Sequence, residues 1–296
     1  MLEDLKLGPA YDGFLFLAEA RHNPPILRSH RHVELELNLV TQGSVTYIIS
    51  GNRYTFSRGS MLWIFPAQEH QLVDRTPDAR YYVGVFKPEL IERACHGDLY
   101  QGLKQECVEG EAILSKILLL ERYNLVIQVM DSLMEGSLDP ELLNREAGFG
   151  YQSDFRYEHG DPDALNAGLH YLLVHCWKVF QSEGTGADSV QLHPAVAKAL
   201  ILIGEDDNAT GLTALAEKCG ISETYLSRLF KEQVGVALNH YRNSVRLRAF
   251  MEHYRSPPRK TILECVYAAG FGSYAQFYKV FMKSYGYGPR EYLKGD

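Results

Sequence analysis

The last third of the chain contains one pattern twice, and this pattern restricts the fold more than any other feature. In Leu212–Lys231, apolar residues can bury one face of two short helices, and Gly220 lies at the turn between them, where a positive φ is needed. Ser222 is placed to cap the second helix. Ile262–Phe281 repeats the apolar, small and glycine positions, with Gly270 at the turn. We therefore predict two helix–turn–helix units.

A single helix pair with a glycine turn is common in protein cores, so one copy would leave a purely structural interpretation open. Two copies, over about 212–231 and 262–281, are joined by a predicted helix over residues 239–254, which Pro257 and Pro258 end. Such a helix would fix the two units relative to each other. Their second helices would then enter successive major grooves of one duplex, about 34 Å apart.

The second helix of each unit combines short polar side chains with cations, the residue types that contact base edges and phosphates. The chain from His193 onward carries a net charge of +4 and residues 1–192 carry −11. This basic excess is modest, and two ordinary solvated surfaces would also explain it. The candidate DNA-binding residues are Ser222, Glu223, Thr224, Tyr225, Ser227, Arg228, Lys231, Ser273, Tyr274, Gln276, Tyr278, Lys279, Lys283 and Arg290.

Ala268–Leu293 resembles the signature segment of the AraC/XylS family of bacterial transcription regulators, and the similarity extends over about Pro194–Leu293. The matching positions are the Gly-Phe before the recognition helix, Phe277, Phe281, Gly286, Pro289-Arg290 and Tyr292. The resemblance implies an all-α domain that binds double-stranded promoter DNA, and contact with RNA polymerase if the regulator is an activator. Gly288 replaces the usual Ser or Thr, which we expect to affect local rigidity more than DNA binding.

Residues 14–86 are predicted to form short β-strands. Apolar and β-branched runs at Glu34–Val40, Val45–Ile49 and Met61–Phe65 alternate with glycine-containing turns. This spacing is typical of a small antiparallel barrel or sandwich. The predicted fold class is α+β: an N-terminal cupin-like antiparallel β-barrel followed by helices, then a C-terminal all-α double helix–turn–helix domain.

Four residues of the predicted barrel form a candidate metal or effector site. On a strand, His30, His32 and Glu36 would point to the same side, and His70 could come from a neighbouring strand. Three imidazoles and one carboxylate suit a divalent transition metal such as Zn²⁺, Ni²⁺, Fe²⁺ or Mn²⁺. The spacing resembles the two motifs of the cupin superfamily, although Ala67 replaces the usual glycine of the second motif.

Two other interpretations of this cluster stay open. Cupin-like sensor barrels of the AraC/XylS family often carry these residues without a metal, as the lining of a pocket for a small-molecule effector. A carbohydrate-like effector is favoured in that case. The histidines could also simply decorate a strand.

A different class of function is a metal-dependent cupin enzyme fused to a DNA-binding module. Such an enzyme needs an open coordination position and a general base near its substrate. The sequence offers potential metal ligands but no separate acid and base pair, so we expect a regulator without enzymatic activity.

Two helical stretches follow the predicted barrel. Ile113, Ile117, Leu120 and Leu125 predict a helix over 113–130, and Leu165–Phe180 carries a second apolar stripe. Both faces could pack on the outside of the barrel. We favour a homodimer interface, because the stretches around Leu118-Leu119-Leu120 and Leu172-Leu173-Val174 are more apolar than one-sided packing requires.

The polar segment Ser182–Ser189 is the best candidate for a linker. It divides the chain into an effector-sensing and dimerisation domain, 1–189, and a DNA-binding domain, 190–296. No apolar run reaches the length of a membrane-spanning helix, and the first residues lack the pattern of a secretory signal. The five cysteines form no CxxC pair. We therefore expect a cytoplasmic protein without a membrane partner.

Overall fold

The computed structural model describes residues 2–19, 29–107, 113–135, 157–181, 189–205, 211–255, 258 and 260–293. Most of the predicted linker Ser182–Ser189 lies outside these residues. None of the described helices is both long enough and apolar enough to cross a membrane.

The first half of the chain forms two antiparallel sheets. Their strands are β1 Gly13–Glu19, β2 Leu35–Gln42, β3 Ser44–Ile49, β4 Asn52–Ser57, β5 Ser60–Ile64, β6 His70–Arg75, β7 Arg80–Phe86, β8 Leu114–Ile117 and β9 Ser189–Gln191. The strand order is β1-β7-β2-β5-β8 in the first sheet and β6-β3-β4-β9 in the second. Neighbouring strands are antiparallel throughout both sheets.

The alternation of side chains along β2 shows how the two sheets are layered. Leu35, Leu37 and Leu39 are completely buried in a cluster shared with the helices that follow the sheets. Val40, on the opposite face of β2, belongs to a second cluster shared with residues of the other sheet, such as Tyr47 of β3. The polar residues of β2 with the same phase as Val40 therefore lie between the sheets.

Helices cover the outer face of the first sheet. These elements are α1 Pro88–Ala94, a 3₁₀ helix Asp98–Lys104, α2 Leu120–Met134 and α3 Pro162–Gln181. The apolar stripe of α3, including Leu169, Leu172 and Leu173, is completely buried in the cluster it shares with β2. This apolar stripe is therefore buried within the chain, as expected if the helix packs against the sheet rather than against a second copy. Leu119, Leu120 and Leu125 are instead exposed.

The predicted helix over 113–130 is wrong in its first part. Leu114–Ile117 forms strand β8, which pairs with Ser60–Trp63 of β5, and the helix begins only at Leu120. A short apolar run fits a strand and a helix equally well by periodicity. Here an edge of the sheet was available for pairing, and this decided the outcome.

The rest of the described chain is helical. Its elements are α4 Pro194–Glu205, α5 Leu212–Cys219, α6 Glu223–Val234, α7 Leu238–Arg255, α8 Ile262–Ala268, α9 Tyr274–Tyr285 and α10 Pro289–Tyr292. The helix pairs α5–α6 and α8–α9 are the two helix–turn–helix units. Gly220 between α5 and α6 has φ 75°, the left-handed conformation that its position in the pattern required.

Helix α7 joins the two units by contributing to both of their cores. Its first half places Leu238, Tyr241 and Val245 in the core of the first unit. Its second half places Phe250 and Met251 in the core of the second unit, against residues of α9. The predicted α+β fold, with antiparallel sheets first and a double helix–turn–helix region last, is confirmed.

Candidate effector site and nucleic-acid interface

The structure brings the four predicted metal or effector residues together between the two sheets. Glu36 lies near the start of β2, and His70 is the first residue of β6. His30 and His32 lie in the segment before β2 rather than in a regular strand. The main chains of His30 and His70 donate hydrogen bonds to each other, at 3.0 and 2.8 Å, and this bridge joins the two sequence motifs.

The three imidazoles of the cluster are close enough to share one ion, and Glu36 lies beside two of them. The ligand atoms of His30, His32 and His70 all lie within 4.8 Å of one another. Glu36 Oε2 is 3.0 Å from His32 Nε2 and 3.6 Å from His70 Nε2. His32, Glu36 and His70 are all buried.

Backbone carbonyls orient two of the imidazoles. His32 Nδ1 is 3.1 Å from the carbonyl oxygen of Glu34, and His70 Nδ1 is 3.0 Å from that of Gln68. Both rings therefore turn Nε2 towards Glu36, the orientation that metal-ligating histidines usually have. The Nε2 atom of His70 is buried without a hydrogen-bond partner, although a buried ring nitrogen normally has one. The chemistry and orientation of these donors fit a divalent transition metal.

The carboxylate of Glu36 is itself held by a neighbour that sequence reasoning missed. The side-chain amide of Asn38 donates a 2.6 Å hydrogen bond to Glu36 Oε1, and Asn38 is completely buried. The hydroxyl of Tyr47 in turn donates to Asn38 Oδ1, at 3.4 Å. The available signal was the position of Asn38, two residues after Glu36 and therefore on the same face of β2.

Without a metal, protonated His32 and ionised Glu36 form an ion pair within the cluster. Burial raises the pKa of Glu36, but the hydrogen bond from His32 and the nearby charge of His70 outweigh it and hold the pKa well below its usual range. Burial lowers the pKa of His32, but hydrogen bonds to Glu34 and Glu36 outweigh it and raise the pKa to about 10. Glu34 Oε2 lies near His32 Nδ1, on the ring edge away from Glu36.

A further carboxylate, Glu3, lies at the edge of the cluster. Its Oε2 is 3.5 Å from His30 Nε2, and its side chain is only 10% exposed. Burial raises the pKa of Glu3, while the charges of His32, His70 and Arg248 in α7 act in the opposite direction. No sequence signal pointed to Glu3, because it lies far from the histidine motif along the chain.

In the first helix–turn–helix unit, the candidate DNA-binding residues lie on or directly before α6. Thr224, Arg228 and Lys231 form an exposed stripe along this helix. Ser222 caps α6 by accepting a hydrogen bond from the backbone N–H of Tyr225, and the Glu223 carboxylate accepts one from the hydroxyl of Thr213. Tyr225 is exposed beneath the guanidinium of Arg228, and Ser227 is half-buried.

The second unit has a similar stripe on α9. Gln276, Lys279 and Lys283 are exposed along one face. The other candidates on this unit divide by exposure: Tyr278 and Arg290 are exposed, Tyr274 is half-buried against Phe277, and Ser273 caps the helix through the N–H of Gln276.

The two halves of the chain meet next to the cluster. Ile48 of β3 and Val73 of β6 belong to the same buried core as Leu238 and Tyr241 of α7. Gln71, the residue after His70, donates a hydrogen bond to the hydroxyl of Tyr241. The helix that joins the two units therefore contacts the strand that carries His70.

These observations define a transcription regulator with an N-terminal ligand-binding domain and a C-terminal helix–turn–helix region. Residues 15–122 match the family described as AraC-like ligand binding domain, and residues 215–295 match a helix-turn-helix domain. Together the two matches cover well over half of the chain. The chain belongs to the AraC family of DNA-binding transcription regulators.

Comparisons with individual proteins give distant similarities. The melibiose operon regulatory protein of Escherichia coli strain K12 is 22% identical over 285 residues, which cover 90% of this chain and 83% of that protein. A solved structure of ToxT from Vibrio cholerae is 13% identical and covers 95% of this chain and 97% of that chain, with a TM-score of 0.32. The C-terminal domain of AraT from Geobacillus stearothermophilus is 26% identical and covers 36% of this chain and 89% of that chain, with a TM-score of 0.33.

Proposed function

We propose that this protein is a sequence-specific regulator of bacterial type whose binding to promoter DNA responds to a divalent transition metal at the histidine cluster. The observation that carries the proposal is the convergence of His30, His32, His70 and Glu36 within the buried space between the sheets. When bound, the ion supplies a concentrated positive charge that holds these side chains in one arrangement. The residues themselves supply the orientation, through the carbonyls behind His32 and His70 and through Asn38.

The response of DNA binding to the ion follows from thermodynamic linkage. An effector shifts an equilibrium only if it binds one arrangement of the protein better than another. The contact between β6 and α7 gives the cluster a route to the helix that joins the two DNA-binding units. Affinity for DNA would rest mainly on cations that contact phosphates, such as Arg228, Lys231, Lys279 and Lys283, and would fall steeply with salt.

The test is the metal content of the untagged protein, purified without added metal, beside a His30→Ala/His32→Ala variant. A matched control is His96→Ala/His170→Ala, which removes two exposed imidazoles outside the cluster. We expect near-stoichiometric metal in the wild type and the control, and its loss in the cluster variant. Equal metal content in all three proteins, or none in any after incubation with Zn²⁺ and dialysis, would contradict the metal site.

A carbohydrate-like organic effector is the second candidate. It is supported by the relative named for the melibiose operon, since melibiose is a disaccharide. The hydrogen-bonding groups of Asn38 and Tyr47 beside Glu36 are of the type that sugar hydroxyls contact. A thermal-shift screen of sugars on metal-free protein tests this candidate, and a stabilisation lost in Asn38→Ala would support it.

We also propose how the protein assembles and where it acts. Exposed Leu119, Leu120 and Leu125 support a homodimer interface beside α2, and an activator would also contact RNA polymerase. We place the protein in the cytoplasm, where promoter DNA is available. The matches to a ligand-binding domain and a helix-turn-helix domain support a regulator over the fused cupin enzyme.

A further inference from the structure

We propose that Glu3 is an additional metal ligand of the histidine cluster, outside the sequence motif that supplies the other four. This inference rests on the proposed metal site. The segment that contains Glu3 is held by its main chain: Leu2 bridges to Arg31, and the N–H of Glu3 donates a 2.7 Å hydrogen bond to the carbonyl oxygen of Arg31. Arg31 separates His30 from His32, so this pairing places Glu3 beside the cluster.

The distance between Glu3 and His30 is of the size that separates two ligands of one ion. Two donors bonded at about 2.0–2.2 Å to one ion lie roughly 2.8–3.6 Å apart for bond angles between the octahedral and tetrahedral values. Glu36 Oε2 lies 3.0 Å from His32 Nε2 and 3.6 Å from His70 Nε2. Glu3 Oε2 lies 3.5 Å from His30 Nε2, which is within the same range.

The charge balance also favours a second carboxylate. Neutral imidazoles leave a bound dication with its full charge. Glu34 faces the Nδ1 edge of His32, away from the ion, so Glu36 as the single carboxylate ligand would leave one positive charge on the ion and its ligands, which is costly in a buried site. The guanidinium of Arg248 lies within electrostatic range of Glu3 and is itself buried and paired with Glu252, at 3.0 Å. The carboxylates of Glu3 and Glu36 together neutralise the dication. The unpartnered Nε2 of His70 independently indicates that a ligand belongs at this point.

The experiment compares Glu3→Gln with Asp4→Asn in the full-length protein. Both variants remove one carboxylate from the same segment, but Asp4 is exposed and accepts a hydrogen bond from the N–H of Lys6. Zn²⁺ affinity is measured by competition with a chromophoric chelator, and coordination is followed in the visible spectrum of the Co²⁺-loaded protein. We expect Glu3→Gln to weaken Zn²⁺ binding at least 10-fold and to change the Co²⁺ spectrum, and Asp4→Asn to leave both unchanged.

The outcomes separate this inference from the proposed metal site. If the wild type binds Zn²⁺ and Glu3→Gln matches it within threefold with the same Co²⁺ spectrum, the Glu3 assignment is wrong and the metal site stands. If the wild type binds neither ion, both proposals are wrong. Melting of the metal-free proteins provides a further check, because a variant that melts earlier but binds Zn²⁺ as the wild type does would show that Glu3 is merely structural.

Discussion

Gln71 donates a hydrogen bond to the hydroxyl of Tyr241, and this contact joins the residue next to His70 to the helix between the two DNA-binding units. Successive residues of a strand face opposite ways, so His70 points to the cluster while Gln71 points to α7. Both Gln71 and Tyr241 are buried. A displacement of β6 at the cluster would therefore reach α7 through a direct contact between buried side chains.

Replacing Tyr241 with Phe should weaken the link between the cluster and DNA binding. The variant keeps the aromatic ring but leaves the Gln71 amide without this acceptor, and a net hydrogen bond contributes about 1 kcal/mol. The effect of Zn²⁺ on DNA affinity should then change roughly fivefold, measured by fluorescence anisotropy on a duplex that the protein selects from a random pool. Tyr254→Phe, in the same helix but packed on Phe250, is the control. An unchanged response to Zn²⁺ in Tyr241→Phe would exclude this route.

Arg228→Ala should weaken binding to all DNA sequences by a similar factor. Arg228 is 65% exposed on α6, and we expect its guanidinium to contact phosphates. The slope of log affinity against log salt should fall by about one. Lys198→Ala in α4 removes an exposed cation outside the stripe and serves as the control. Equal salt slopes for Arg228→Ala and the wild type would remove α6 from the DNA interface.

Gln276→Ala should instead reduce the discrimination between DNA sequences. The amide of Gln276 accepts a hydrogen bond from the N–H of Gly272, which holds the side chain at the start of α9 and leaves its NH₂ group available to a base edge. We expect a loss of about 1–3 kcal/mol at one position of the preferred site, measured with a set of single-base variants. Lys279→Ala, at the next exposed position of the stripe on α9, should weaken binding to all of these DNA variants by a similar factor. A uniform loss for Gln276→Ala would contradict base recognition.

The features that the sequence predicts best are those set by local constraints. The positive φ of Gly220 and the capping hydroxyl of Ser222 are requirements of a short turn, and the structure has both. The second unit differs in one residue: α9 begins four residues after Gly270, whereas α6 begins three after Gly220. Phe271, which follows Gly270 in this longer turn, is buried.

The cluster was predictable only in part, because its geometry depends on contacts that are distant in sequence. The motif spacing identified His30, His32, Glu36 and His70. The main-chain bridge that joins His30 to His70 and the approach of Glu3 depend on how separate segments pair, which no local pattern encodes. The same limit explains the misassigned strand β8, whose pairing partner lies far away in the chain.

The stability of the metal-free protein should depend on pH through His32 and Glu36. The pKa of His32 in the folded protein, about 10, is above its ordinary value of 6.5, so its contribution is full below pH 6.5 and is lost as the pH rises towards 10. The lowered pKa of Glu36 gives a contribution that is present above its ordinary value and lost in acid. Urea denaturation with a chelator present should therefore show stability falling from pH 7 to pH 10, and less so in His32→Gln. If the stability of the wild type and of His32→Gln depended on pH in the same way, the ion pair between His32 and Glu36 would be contradicted.

Asn38→Ala should weaken metal binding although Asn38 is not a ligand. Its amide holds Glu36 Oε1 at 2.6 Å, and the loss of a residue that orients a ligand typically costs 10–100-fold in metal affinity. The measurement is Zn²⁺ competition with a chelator, beside melting of the metal-free protein. Thr46→Ala is the matched control, since Thr46 is also buried but its hydroxyl pairs with that of Thr55, away from the cluster. If Asn38→Ala and Thr46→Ala bind Zn²⁺ equally, Glu36 needs no such support and is fixed by the histidines alone.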